Sequence, residues 1–138
     1  MAQTETWTDT GIAELILLLR EEAATGMQSI VALEMATPCT AVVGSTFADP
    51  ADTAIHHTDS GLDIAEIDTV AGDTVNTAGD TILFDHVFTA TGTKNVAGIH
   101  VCNNDDNVAF IECCFNAVLG MEDSDTLTID GQSTIDQA

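Results

Sequence analysis

Positive charge is almost missing from this chain: Arg20 and Lys94 are its only Arg and Lys in 138 residues, against 23 Asp plus Glu, giving a formal −21 with His neutral. That scarcity excludes a nucleic-acid groove, because gripping a phosphate backbone depends on Lys and Arg releasing its counterions. A surface this acidic repels itself at ordinary salt, and the repulsion is screened only when the Debye length shrinks to about 3 Å near molar salt. A salt-loving host is therefore the expectation, with a cation-loaded surface or a basic partner as the other ways to offset the same charge. Tyrosine is absent, and one Trp with five Phe is a thin supply of rings for stacking on sugars. Long apolar runs are missing too. The stretch Ile12 to Leu19 is interrupted by Glu14 and closed by Arg20, well short of the ~20 apolar residues of a membrane span, so no membrane partner is expected. Met1-Ala2-Gln3-Thr4-Glu5-Thr6 lacks the positive start of a secretion signal. Synthesis in the cytoplasm follows, with Cys39, Cys102, Cys113 and Cys114 expected as reduced thiols that pack as small apolar groups.

What is present argues for a packed fold. Hydrophobic residues make up 45% and charged residues 18%, which excludes an acidic disordered tail. A chain of this length is expected to form a single domain over residues 1–138 around one core. TGIAELILLLREEAATG reads as a helix over residues 9–25, capped by Thr10 and ended by Gly26, with Ile12, Leu15, Ile16 and Leu19 at helical spacing. Leu17 and Leu18 widen that apolar stripe, which suits either a helix covering one end of the core or a helix shared with a second subunit. MQSIVALEM (27–35) alternates as a strand. Residues 36–60 hold both prolines and little periodicity, and form a long loop with at most a short strand at 41–43. Strands are expected over 62–70, 81–90, 95–102, 108–115 and 126–129, so the predicted class is mainly β, an antiparallel sandwich or jelly-roll-like barrel over residues 62–130 with one N-terminal helix.

A recurring small-Asp-Thr-apolar motif (GDTV at 72–75, GDTI at 79–82, SDTL at 124–127) opens segment after segment. Gly-Asp turns the chain and Thr plus a large apolar residue favours extension, so the motif reads as punctuation between strands. Calcium repeats are the competing reading, but they require a fixed nine-residue frame that these spacings lack. His100-x-Cys102 followed by Cys113-Cys114 resembles a zinc set. In a hairpin turning at NNDDN, however, Cys102 faces Val108 while Cys113 and Cys114 face Ala97 and Val96, too far along the strands to share a metal or a disulfide with Cys102. Only Cys39 could bring a distant thiol to them. His56-His57 reads as an exposed polar pair, and His86, between Phe84 and Phe88, as a core or interface residue. No G-x-S-x-G elbow, G-x-G-x-x-G or Walker pattern occurs, and Asp63, Glu66 and Asp68 read as an acid-studded strand edge. No catalytic residue, cofactor or metal ligand is assigned, and the chain is expected not to be an enzyme.

WTDTGIAELILLL, FADPADTAI, DTILFDHVFTATGTKNVAGIHVCNND and FNAVLGMEDSDTLTI, in that order, resemble small virion structural proteins of tailed viruses. In that group a T-x-x-G helix precedes a sandwich that closes on F-T-A-T-G-T and G-D-T-L-T-V elements. The layout is also similar to the collar-type domains at the base of tail fibres. Two departures stand out: EMATPCTAVVGS replaces a Gly-x-Gly after the first strand, and Asp130-Gly131 is expected to break the last strand early. The resemblance implies a virion subunit, made in the host cytoplasm, that decorates or stabilises a capsid as a symmetric homo-oligomer. Its partners would be further copies of itself and other virion proteins such as the major capsid protein. The acidic composition adds a halophilic archaeal host. A tail-fibre or turret module that binds a host surface glycan or protein receptor is the alternative. The expected subunit contacts are Trp7, Leu17 and Leu18 on or beside the helix and Phe47 in the long loop; for Trp7 the competing role is a cap over its own core.

Overall fold

A computed structural model of the chain describes residues 3–19, 26–72, 81–103 and 108–134. The order is β1 (Thr4–Trp7), α1 (Asp9–Leu19), β2 (Met27–Glu34), β3 (Ile55–His56), β4 (Ala65–Glu66), β5 (Thr69–Gly72), β6 (Thr81–Thr89), β7 (Lys94–Asn103), β8 (Ala109–Met121) and β9 (Thr126–Thr134). The fold is mainly β with antiparallel sheets and one short N-terminal helix, the class read from the sequence. The larger sheet runs β1-β8-β7-β2-β3, with β4 also on β2, and the smaller runs β5-β6-β9. Ile30, Ala32, Ile99, Val101 and Ile111 of the first pack with Phe84, Phe88 and Ile129 of the second in one core. The alternation that puts Ile30 and Ala32 inward sends Val31 and Leu33 to the opposite face of β2, where they are equally buried. The larger sheet is therefore covered on both faces, and the cover of its outer face is the long 36–54 loop.

Several boundaries differ from those read in the sequence. β1 was not anticipated; it pairs Thr4 to Trp7 with Cys114 to Ile111 at the sheet edge. Thr8, not Thr10, caps the helix: its hydroxyl accepts from Gly11 N at 3.0 Å and donates to the Ala109 carbonyl. β1 dictates this, because it ends at Trp7 and makes Thr8 the last non-helical residue. The expected helix residues 20–25 lie outside the described residues. The 62–70 strand is divided into β4 and β5, and Ala41–Val43 is not a strand. β9 continues through Asp130-Gly131, because Gly131 leaves the room that the Phe84 ring occupies beside it. β6 and β9 both begin at the Thr of a Gly-Asp-Thr or Ser-Asp-Thr motif, with Asp125 turning the β8–β9 connection by accepting from Glu122 N at 2.8 Å. Asp73 to Asp80 lie outside the described residues.

Gly11 sets how closely α1 approaches β8. A Cβ there would sit 2.6 Å from Phe110 Cα and 2.8 Å from its carbonyl oxygen. Alanine favours a helix over glycine by about 1 kcal/mol, but a clash with backbone has no side chain to swing away. Gly11→Ala is accordingly expected to destabilise the fold by about 1–3 kcal/mol, read by denaturant unfolding; a neutral or stabilising result would show that α1 lifts from the sheet without penalty.

Candidate functional site

The sequence offers its clearest clue in AFIECCF, where Glu112 is a lone acid inside an apolar strand. An unpaired carboxylate is not tolerated in such a place, so the fold must bring it partners. On the outer face of the larger sheet, β7 places His100 directly opposite Glu112, and both side chains are fully buried. His100 Nε2 donates to Glu112 Oε1 at 2.8 Å, and Ala51 N donates to the same oxygen at 2.8 Å. The other oxygen accepts from Ser45 Oγ at 2.8 Å and from Val42 N at 3.1 Å. Burial by itself pushes the Glu112 carboxyl up, and the donors from His100, Ala51, Ser45 and Val42 outweigh it and hold the group below the ordinary carboxylate value. The chain of contacts continues on the far side of the His100 ring, where Nδ1 lies 2.9 Å from His56 Nε2. His56 is half-buried under the Phe47 ring, 4.3 Å between centroids. Burial, then the neighbouring His100, push its pKa down to about 4 against the opposing pull of Glu112.

The same loop is fastened by a disulfide. Cys39 and Cys114 are bonded, with Cα atoms 5.4 Å apart across a sequence separation of 75. The expectation of four reduced thiols is thus corrected: the 36–54 loop folds back over β8 and delivers Cys39 to the outward-facing Cys114. Asp9 N to the Val43 carbonyl at 2.8 Å and Ala41 N to Thr4 Oγ1 at 2.8 Å tie it further to the N-terminal elements. The exposed His56-His57 pair is corrected as well. His57 is buried, its Nε2 2.9 Å from the Asn95 carbonyl and its Nδ1 3.4 Å from Glu34 Oε2, because its backbone N–H pairs with Ala32 and draws it onto β2. The residues of the zinc-like set are dispersed: His100 is on Glu112, Cys114 is in the disulfide, Cys102 Sγ lies 3.6 Å from the Ser29 carbonyl, and Cys113 points to the opposite face. In the β7–β8 hairpin Cys102 meets Ala109 while Cys113 and Cys114 meet Ile99 and Gly98, a register shifted by one to two residues from the predicted one, with an extra β8 residue between the Cys102 and Val101 pairs. Asp63, Glu66 and Asp68 are exposed on and beside β4. Ser45 donates to Glu112 rather than to an imidazole, and it shares that carboxylate with His100, Val42 and Ala51, so the network latches the loop onto the sheet.

A second feature lies between the free edges of the two sheets. There, β1 and β9 flank a cleft of about 520 Å³. Trp7 spans it: the indole Nε1 donates to Ser133 Oγ at 2.7 Å, and the ring packs edge-on against Phe110. Of the expected contact residues, Trp7 is therefore half-buried against its own core and Phe47 half-buried over His56, while Leu17 and Leu18 lie in α1 with side chains outside the described residues. Cys113 forms part of the cleft floor, 3.6 Å from Gln3 Nε2. Burial, then Glu5, push its thiol up to about 11, so it stays neutral near pH 7 and is a poor nucleophile. Sequence reading missed both the latch and the cleft, since each joins segments far apart in the chain.

Comparison with protein families, with curated proteins and with solved structures found no match for this chain.

Proposed function

We propose that the chain is a structural virion protein of a tailed virus with a halophilic host, decorating or stabilising the capsid surface through symmetric homo-oligomer contacts. The observation that carries this reading is the Cys39–Cys114 cross-link in a strongly acidic sandwich. Structural disulfides persist in oxidising surroundings, as on the outside of a released particle, and the latched loop makes a rigid tile. The acidic skin fits molar salt. Asp85 and Asp130 stand directly opposite each other on exposed positions of β6 and β9, a like-charge pair that destabilises a sheet unless screened. Lys94, the one Lys or Arg among the described residues, is committed to Asp59 at 3.3 Å. The order of motifs resembling tailed-virus proteins supplies the viral part of the reading.

The expected solution behaviour is an oligomer in molar KCl that loosens below about 0.5 M salt as screening fails. Light scattering across a salt series checks this, and an unchanged size at low salt overturns the halophilic part. Counting copies per particle by mass spectrometry tests the position: hundreds agree with shell decoration, a handful with a tail. The attachment reading, a fibre or turret module, draws support from the cleft between β1 and β9.

A further inference from the structure

We propose that the cleft between β1 and β9 binds a neutral saccharide. This inference does not rest on the decoration reading, and it gives the attachment reading a concrete site. The volume, about 520 Å³, falls within the roughly 300–1,000 Å³ of small-molecule sites. Charge narrows the ligand class. Among the described residues no Lys or Arg lines the cleft, while Glu5, on the same face of β1 as Trp7, does, so phosphates, carboxylates and acidic sugars are repelled. A purely apolar ligand is disfavoured in turn, since it would strip water from the Glu5 carboxylate and the Gln3 amide without replacing its hydrogen bonds.

A pyranose satisfies both halves of the lining. The Glu5 carboxylate accepts from neighbouring hydroxyls, and the side-chain amide of Gln3 both donates and accepts. Trp7 and Phe115, each half-buried, offer rings to the C–H face of a sugar. The indole is held in place before any ligand arrives by its bond to Ser133, which reduces the ordering that binding requires. Aromatic rings are few in the whole chain, yet the single Trp and two of the five Phe, Phe84 and Phe115, meet at this cleft.

Trp7 is also a built-in reporter, because no other tryptophan contributes to the fluorescence. The full chain, in molar KCl, would be titrated with maltotriose, chitotriose and mannotriose, with an oligogalacturonate as anionic control, and its labelled form applied to an array of neutral glycans. The expected result is a saturable change in Trp7 emission with at least one neutral saccharide and none with the anionic one. Glu5→Ala and Gln3→Ala, both at exposed positions, should weaken binding about tenfold or more with an unchanged Tm. The proposal is overturned by silence across the neutral array, by equal binding in both variants, or by a response confined to amines or to an extended peptide pairing with the free edge of β9. Copy number per particle is independent of every one of these outcomes, so the two proposals fail separately.

Discussion

Glu112→Ala is expected to lower the folding free energy by about 3–5 kcal/mol, the effect of breaking a buried, hydrogen-bonded ion network by removing one partner. The carboxylate is the common acceptor for His100 Nε2, Ser45 Oγ and the backbone N–H groups of Val42 and Ala51. Its removal leaves those donors facing a void under a loop that water enters only by opening. At the size of this domain the loss corresponds to a fall in Tm of about 10 °C or more, measured in molar KCl. Glu112→Gln keeps the shape but replaces one acceptor oxygen with a donor, and an intermediate loss is expected. A decrease below about 1 kcal/mol for the alanine variant would mean that the loop is held without the latch.

The same network has a pH signature. His56 has a folded pKa of about 4 against an ordinary 6.5, so the unfolded chain takes up the proton first as the solution is acidified. The stability due to its neutral form is complete above about 6.5 and declines as pH falls from there toward 4. Glu112 is also depressed, so its contribution is present above its ordinary 4.5 and is lost as pH falls further. Both run in one direction. Protonating the surface acids relieves repulsion and runs in the other, which is why the titration belongs in molar salt, where that second effect is screened.

Loss of the Cys39–Cys114 bond is the other large effect. Its 75-residue separation gives a chain-entropy stabilisation of about 4.5 kcal/mol as an upper figure, and removal of a native disulfide from a small domain typically lowers stability by 2–5 kcal/mol. Cys39→Ser is expected in that range. Because the bond and Glu112 fasten the same loop, their effects should not add: once one fastening is lost the other holds a segment already free to open. Hydrogen exchange at Val42 and Ala51 distinguishes the cases, and unchanged protection in Cys39→Ser would show the disulfide to be redundant.

Much of this architecture was legible in the chain. Alternation located β6 within a residue, because one of its faces is in the core, near-continuous apolar runs located β2 and β7, which are buried on both faces, and Asp-Thr punctuation marked the starts of β6 and β9. The 36–60 loop read as unsupported because its partners are remote: a carboxylate at Glu112 and a thiol at Cys114, neither visible from local pattern. Glu112 in AFIECCF and His100 in GIHVC did carry a signal, as polar residues in runs too apolar to leave them unpaired. What no periodicity supplied was which segment would satisfy them. β1 was missed for a related reason, as four residues with only one large apolar side chain, Trp7, show little pattern alone.

Cys113 and Cys114 are neighbours whose side chains leave β8 on opposite sides, one into the cleft and one into the cross-link. In an unfolded chain Cys39 reaches either with nearly the same probability, since lengthening a closed loop by a single residue hardly changes its entropy. Selection of the correct partner therefore belongs to the assembled sheet, and oxidation must follow strand pairing. An oxidant that arrives first would trap mismatched chains, so the sulfur chemistry of this protein records the sequence of events in its own maturation.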